Sequence, residues 1–228
     1  MTAAAAPPPL LHVAAASNEA ARVAMLVAGG APVDAVINDG VTPLMAAAVN
    51  DAAASARVLV ELGADVRRRT PSGWTALLYA ADSGSLAVLD TLLAAGANVD
   101  DVLTGGESAL VQACFRKHRD VASRLIDAGI DVDRSSTIGL NAMIVCSDAG
   151  FDDVVSRLVE RKADVDAVNA YGETALMRAA LRGHRTVVRV LLGAGAAADR
   201  HDRDGKTAGD RARENGHADL EALLGRGC

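Results

Sequence analysis

Residues 169–201 read NAYGETALMRAALRGHRTVVRVLLGAGAAADRH, and the pattern of this segment recurs along the chain with a period of 33 residues. A residue that can cap a helix occupies the same position of six successive periods. The capping residues are Thr42, Thr75, Ser108, Asn141, Thr174 and Thr207. A glycine precedes each of them by two residues. A fixed period of this length, with no insertion, predicts stacked supersecondary units and not a single globular core.

Each unit carries the signals of two short helices. The phased Thr, Ser or Asn is a helix N-cap, because its side-chain oxygen can accept a hydrogen bond from an otherwise unpaired backbone N–H. Small residues follow in pairs such as Ala179-Ala180, which lets helices of neighbouring units approach closely. A second helix carries a pair such as Leu191-Leu192 and ends near a glycine that suits the left-handed conformation. We therefore expect each unit to be a turn or hairpin followed by two antiparallel helices.

This pattern resembles the ankyrin repeat, whose signature places Gly-x-Thr-Pro-Leu-His-x-Ala-Ala before a Gly-His pair and a Leu-Leu pair. The best matching fragments are GVTPLMAA at residues 40–47 and LHVAA at residues 11–15. The resemblance implies an all-α repeat solenoid of stacked helix-turn-helix units with β-turn or hairpin connections. We expect a disordered lead-in over residues 1–8 and one domain over residues 9–228. That domain would hold about seven repeats, of which the first and last act as caps.

The chain is acidic, with a formal net charge of −6. Residues 1–114 hold 5 Lys and Arg against 11 Asp and Glu, whereas residues 115–228 hold 18 of each class. Nucleic-acid binding without base recognition needs a basic stripe, so this balance argues against a nucleic-acid partner. The sequence has no apolar run of about 18 residues, and its start lacks the charge of a secretory signal. We expect a cytoplasmic monomer with no membrane partner.

The three cysteines fit a reducing compartment. Cys114 and Cys146 occupy small-residue positions of first helices, so we expect two buried, unreactive thiols. Cys228 is the last residue of the chain, and we expect it to be exposed and without a catalytic role.

The resemblance also implies a binding face, because the turns and first helices of ankyrin repeats line a concave surface that partners usually contact. The chain has only five aromatic residues: Trp74, Tyr79, Phe115, Phe151 and Tyr171. All except Phe151 fall at variable or concave positions of their repeats. Since aromatic residues dominate interface hot spots, we expect Trp74, Tyr79 and Phe115 to form an apolar patch across repeats 3 and 4. The alternative is that each ring only covers a neighbouring turn or a gap beside alanine.

A second set of candidates for partner binding is basic. Arg178 and Arg211 occupy equivalent positions of adjacent repeats, Arg182 lies one helical turn beyond Arg178, and Arg116 matches Arg182 two repeats earlier. These side chains could receive an acidic peptide or a carboxylate, since arginine favours bidentate contacts.

Acidic residues leave an alternative open for this basic set. Glu173 and Glu214 could neutralise the arginines and leave a solvated, mixed-charge face. The acidic residues Asp39, Asp82, Glu107 and Asp148 give the other end of the predicted groove the opposite sign. A partner of matching polarity would therefore dock in one direction. The complete set of candidate partner-binding residues is Trp74, Tyr79, Phe115, Arg116, Tyr171, Arg178, Arg182, Arg211, Asp82 and Asp148.

His118, His184 and His217 recur in phase and suggest a metal site at first sight. Equivalent positions of packed helices lie about 8–10 Å apart, whereas a zinc–nitrogen bond is about 2.1 Å long. We therefore expect structural histidines and no metal. The sequence also lacks a phosphate-binding loop and a nucleophile motif, so we expect no cofactor and no catalytic residue.

The sequence thus favours non-catalytic recognition of a macromolecular partner, a protein, through the turns and first helices of repeats 3 to 6. The alternative is a small-molecule-binding or catalytic groove on the same concave face, where Asp82, Asp148, Arg178 and Tyr171 would serve as acid–base groups. A third interpretation, a structural spacer that binds nothing tightly, is opposed by the surface aromatics.

Overall fold

A computed structural model describes residues 10–225, apart from the side chain of Ala222. Within that range the chain forms fourteen α-helices in seven successive pairs and one short 3-10 helix, Asn38–Gly40. The described residues contain no β-strand, and the predicted all-α repeat architecture is confirmed. None of the described helices is long and apolar enough to cross a membrane. The lead-in predicted for residues 1–8 and the terminal Cys228 lie outside the described residues.

The chain divides into two compact units, one up to Thr104 and one from Gly105 onward. The single domain over residues 9–228 stays a prediction. In unit 1 the first helices of successive repeats pack on one another, as do the second helices. The first helices are α1 (Leu10–Ala16), α3 (Pro43–Val49) and α5 (Ala76–Ser83), and the second helices are α2 (Ala20–Ala28), α4 (Ala53–Glu61) and α6 (Leu86–Ala94).

Unit 2 repeats this arrangement with four helix pairs. Its first helices are α7 (Ala109–Phe115), α9 (Ala142–Ala149), α11 (Ala175–Leu181) and α13 (Ala208–Glu214). Its second helices are α8 (Arg119–Asp127), α10 (Asp152–Glu160), α12 (Arg185–Gly193) and α14 (Ala218–Leu224). Consecutive first helices are in contact throughout the unit.

The predicted N-caps start the first helices from α3 to α13. In α11, for example, the Thr174 hydroxyl accepts a hydrogen bond from the Met177 N–H at 3.3 Å. The same side-chain-to-backbone bond occurs at Thr42, Thr75, Ser108, Asn141 and Thr207. Each bond satisfies one backbone donor that the helix cannot pair, a contribution of about 1 kcal/mol.

Alanine and leucine fill the interior of both units. The small pairs of the first helices, such as Ala179-Ala180, are fully buried where neighbouring first helices meet. The first leucine of each pair on the second helices α4 to α12 is fully buried, as Leu191 is, and in α8 the following Ile126 is fully buried as well. Burying one such leucine is worth about 1.5–3 kcal/mol relative to exposure.

The turns between repeats of unit 2 lie side by side. The Ala170 N–H donates to the Ile138 carbonyl at 2.8 Å, and the Arg203 N–H donates to the Tyr171 carbonyl at 2.9 Å. Gly139 shows how tight this packing is, because its φ is 73° and an added Cβ would lie 2.9 Å from Asn169 Cα. These hydrogen bonds join the backbones of successive turns beside the first helices.

Candidate functional site

Trp74 and Tyr79 form a stacked aromatic pair in unit 1. Their ring centroids are 4.6 Å apart with an interplanar angle of 17°, and both side chains are half-buried. Burial raises the pKa of the Tyr79 phenol, and the negative charges of Asp39 and Asp82 raise it further. The pair therefore presents a neutral, largely apolar surface with acidic residues nearby.

Unit 2 contains a cleft of about 210 Å³ between the first helices α7, α9 and α11 and the turns beside them. We call it the unit-2 cleft. Its lining residues are Phe115, Ile138, Leu140, Ile144, Val145, Asp148, Asn169, Tyr171, Glu173 and Arg178. Four of the residues predicted from the sequence, Phe115, Asp148, Tyr171 and Arg178, are thus brought together in one place.

The two aromatic rings of the cleft are open to solvent. Phe115, at the end of α7, is 66% exposed, and Tyr171, in the turn before α11, is 65% exposed. The Arg116 guanidinium lies 6.0 Å from the Phe115 ring centroid. Phe151, the aromatic residue that the sequence places outside the binding face, is only 6% exposed. The exposed rings therefore offer apolar area at the mouth of an apolar cleft, where covering it would be favourable.

The polar rim of the cleft is a network of ion pairs. Asp148 Oδ1 accepts hydrogen bonds from Arg178 Nη2 at 2.8 Å and from Arg182 Nε at 2.9 Å. Arg178 Nη1 also donates to Glu173 at 3.2 Å. The hydrogen bond that Arg182 donates to Asp148, together with the charge of Asp148, raises the pKa of the Arg182 guanidinium. Glu173 thus neutralises Arg178 as the mixed-charge alternative expects. The placement of Asp148 at the other end of the groove is wrong, because its carboxylate pairs directly with Arg178 and Arg182.

The last repeat forms a second depression of about 280 Å³ next to the cleft. It is lined by Tyr171, Glu173, Arg178, Arg203, Asp204 and Arg211. Arg211 Nη2 lies 2.5 Å from Asp202 and 2.8 Å from Asp204. Burial acts to raise the pKa of Asp202, but the Lys206 N–H and the Arg211 side chain outweigh it and lower that pKa. Arg211 is thus held by acidic residues of its own repeat.

Arg203 differs from the other arginines of this depression. Its side chain is exposed and makes no ion pair with any residue that the structure describes. Its backbone N–H is held by the Tyr171 carbonyl, so the residue has a fixed position beside the cleft. Arg203 is the one of the three arginines lining this depression that remains unpaired within the described range, and its isolation becomes visible only in the structure.

Two of the phased histidines, His184 and His217, lie against the preceding repeat of unit 2. His184 Nε2 lies 3.0 Å from the Asp148 carbonyl oxygen. A Cβ added to Gly150, whose φ is 78°, would lie 2.7 Å from the His184 ring. A Cβ added to Gly183 would lie 2.5 Å from the His217 ring. Among the described residues, no group of three His, Cys, Asp or Glu side chains could hold a metal ion.

Cys114 and Cys146 form a disulfide between α7 and α9, so the expectation of two free thiols is wrong in this structure. Their Cα atoms are 5.0 Å apart, within the range that disulfides require. The sequence did contain a sign of this proximity, because the two cysteines are 32 residues apart, one less than the repeat period, and so lie on neighbouring first helices. Phe115 and Val145, the immediate neighbours of the two cysteines, both line the unit-2 cleft.

Four apolar residues of the cleft were not predicted from the sequence: Ile138, Leu140, Ile144 and Val145. Ile138 and Leu140 flank a phased glycine, at positions that the repeat fold leaves variable. Apolar residues at such variable, exposed positions were the sequence signal that could have identified them as part of a binding surface. Trp74, Tyr79 and Asp82 belong to unit 1, whereas Phe115 belongs to unit 2, and the predicted patch of three rings stays a prediction.

Comparisons with known proteins agree with this architecture. A family model described as ankyrin repeats matches residues 11–102, 67–136 and 142–228. Among solved structures, the crystal structure of the human ASB11 ankyrin repeat domain is similar, with a TM-score of 0.84 and 29% sequence identity. The alignment covers 96% of this chain and 98% of that one. A search of curated protein sequences finds no significant match.

Proposed function

Because the chain belongs to the ankyrin-repeat family, we propose that it binds a protein partner through the unit-2 cleft and catalyses no reaction. Repeats of this family are generally protein–protein interaction modules and are typically not enzymes. The proposed contact face consists of the turns and first helices of unit 2, which corresponds to the concave face of ankyrin repeats.

One observation carries this proposal: Phe115 and Tyr171 are both about two-thirds exposed at the mouth of the same apolar cleft. Large aromatic rings usually enter the interior when they are not needed at an interface. A partner that covers both rings would remove apolar area from water and gain aromatic contacts typical of interface hot spots.

The rigid frame of the cleft supports the same function. Hydrogen-bonded turns position Tyr171, an N-cap starts each of the three first helices, and the Cys114–Cys146 disulfide joins α7 to α9. A surface that is ordered before binding loses little conformational entropy when a partner docks.

The small-molecule or catalytic alternative receives less support. A cleft of about 210 Å³ is smaller than the ~300–1,000 Å³ of common ligand pockets. The proposed acid–base groups Asp148 and Arg178 hold each other in an ion pair. These features favour a surface for a protein partner over a site for chemistry.

We propose the stacked Trp74–Tyr79 pair, with Asp82, as a second contact region within unit 1. The same residues could instead stabilise their own repeat, and the two roles differ in their effect on binding. Loss of partner affinity without loss of folding would support the contact role.

The remaining expectations are proposals about context: a monomeric, cytoplasmic protein that binds neither nucleic acid nor membrane. The net charge of −6 supports the absence of a nucleic-acid partner. The disulfide argues against a reducing compartment such as the cytoplasm, because disulfides are rare in such compartments. The redox state of Cys114 and Cys146 in the cell therefore tests the proposed location.

Affinity capture with the full chain tests the proposed function. We compare wild type with a Phe115→Ala/Tyr171→Ala variant, and with Met25→Ala as the control, because Met25 is 67% exposed on a second helix. Partner recovery should fall at least about tenfold for the cleft variant and stay unchanged for the control. Equal recovery with all three proteins, each folded by circular dichroism, would refute the cleft as the binding site.

A Trp74→Ala/Tyr79→Ala variant forms a separate arm of this experiment. Reduced recovery would support the second contact region in unit 1. Unchanged recovery would assign the stacked pair to stabilising its own repeat.

A further inference from the structure

We infer that the partner segment carries an apolar side chain that fills the unit-2 cleft and, about three residues away, a carboxylate that pairs with Arg203. This inference rests on the proposed function and names the chemistry of the partner at that same site. It specifies an acidic segment of a protein, with the acid placed on the side of the last repeat.

The first element of this chemistry follows from the cleft interior. Ile138, Leu140, Ile144 and Val145 line it together with the two exposed rings. Asp148 and Arg178 are already paired with each other, so an entering side chain need not supply a polar group for them. An apolar side chain such as leucine, methionine or phenylalanine therefore suits the cleft.

The second element follows from the charges beside the cleft. Three arginines line the adjoining depression, and two of them, Arg178 and Arg211, are paired with carboxylates of this chain, including those of Glu173 and Asp204. Arg178 and Arg211 hold those carboxylates. Arg203 is therefore the group that a partner carboxylate would meet, whereas a lysine or arginine there would be repelled.

The distance between the two elements sets their spacing in the partner. Tyr171 lines both the cleft and the depression, and its carbonyl binds the Arg203 N–H at 2.9 Å. Successive packed helices such as α11 and α13 lie about 8–10 Å apart, and an extended chain advances about 3.3 Å per residue. The acidic residue should therefore lie two to four residues from the apolar one, roughly three by this estimate.

A peptide-display selection tests this inference. A random library of peptides about 12 residues long is selected on the full chain, and enriched peptides are synthesised with a fluorescent label for anisotropy titrations. We expect the enriched sequences to share an apolar residue and an Asp or Glu at the stated spacing. Replacing that acid by its amide should weaken binding about two- to fivefold, the value of one exposed ion pair.

Variants of the chain distinguish this contact from a general charge effect. Arg203→Ala should weaken binding about two- to fivefold, whereas Arg189→Ala should leave it unchanged. Arg189 is the matched control because it is also an exposed arginine without an ion pair to any described residue, but it lies on the second helix α12. Binding lost in Arg203→Glu should return when the peptide acid is changed to arginine.

The outcomes separate this inference from the proposed function. Peptides that need Phe115 and Tyr171, but lack an acid or bind Arg203→Ala as well as wild type, would overturn the inference alone. Peptides that ignore the Phe115→Ala/Tyr171→Ala change would overturn both. A selection that enriches nothing would overturn the inference of a short acidic segment, while the capture experiment still decides the proposed function.

Discussion

Cys114 is bonded to Cys146 across the neighbouring helices α7 and α9, directly beside the unit-2 cleft. Phe115 follows the first cysteine and Val145 precedes the second, and both line the cleft. The covalent link therefore connects the same two helices that form one wall of the proposed binding site.

We expect one free thiol per chain under oxidising conditions and three after reduction, because two of the three cysteines are paired. The bond closes a loop with a sequence separation of 32. Reduction should lower the free energy of unfolding by about 3–4 kcal/mol in the chain-entropy model. Thiol titration of the denatured chain and urea denaturation with and without dithiothreitol measure the two effects.

A Cys228→Ser variant is the control for the disulfide. It should show no free thiol under oxidising conditions and the same loss of stability on reduction. Three reactive thiols in wild type before any reductant is added would contradict the pairing.

Local features of the fold were predictable from the sequence, because each depends on a few neighbouring residues. Thr174 caps α11 by accepting a hydrogen bond from the N–H of Met177, three residues away. Gly172, two residues before Thr174, takes a positive φ. The disulfide was not predicted, because its geometry depends on how α7 and α9 face each other. The repeat period gives the equivalent position in the next repeat but not the direction in which each side chain points.

The candidate site was predicted in part for the same reason. Phe115 and Tyr171 were identified because aromatic residues are scarce and occupy variable positions of the repeat. The pairing of Arg178 with Asp148 joins residues 30 apart, so it required the packing of α9 against α11. The isolation of Arg203 could be seen only once its neighbours were known to be paired.

Two buried serines of unit 1 should respond oppositely to replacement by alanine. Ser55 is fully buried, and its hydroxyl finds no hydrogen-bond partner among the described residues. Ser55→Ala should raise the free energy of unfolding by about 1 kcal/mol, because it removes an unsatisfied polar group and places a better helix former in α4.

Ser85 is the matched control for this change. It is equally buried, but its hydroxyl donates to the Ala48 carbonyl at 3.0 Å. Ser85→Ala should therefore lower the free energy of unfolding by about 1 kcal/mol. Urea denaturation of both variants measures the difference, and a shift of both in the same direction would contradict this account.

Asp210 should make the stability of the last repeat depend on pH in the acid range. The N–H and the hydroxyl of Thr207 donate hydrogen bonds to the Asp210 carboxylate at 3.0 and 2.8 Å. These bonds, together with Arg213, lower the pKa of Asp210 to about 2, although burial acts to raise it. Because the pKa of Asp210 is lower in the folded state than its ordinary value of 3.8, ionised Asp210 stabilises the fold fully above pH 3.8. This contribution should be lost as the pH falls from 3.8 toward 2.

Titration of the Asp210 carboxyl carbon by NMR measures this pKa directly. Asp210→Asn should lose part of the stability near neutral pH and show a weaker dependence on acid pH. A carboxyl that titrates at 3.8 or above would show that the Thr207 cap does not hold the charged form.

Photo-crosslinking from the cleft tests the central claim most directly. We replace Tyr171 with p-benzoylphenylalanine in one variant and Met25 in another, since the two side chains have nearly the same exposure, 65% and 67%. The proposed function predicts that the partner captured by wild type crosslinks to position 171 and not to position 25. Crosslinking at position 25 alone, or with equal yield at both positions, would contradict it.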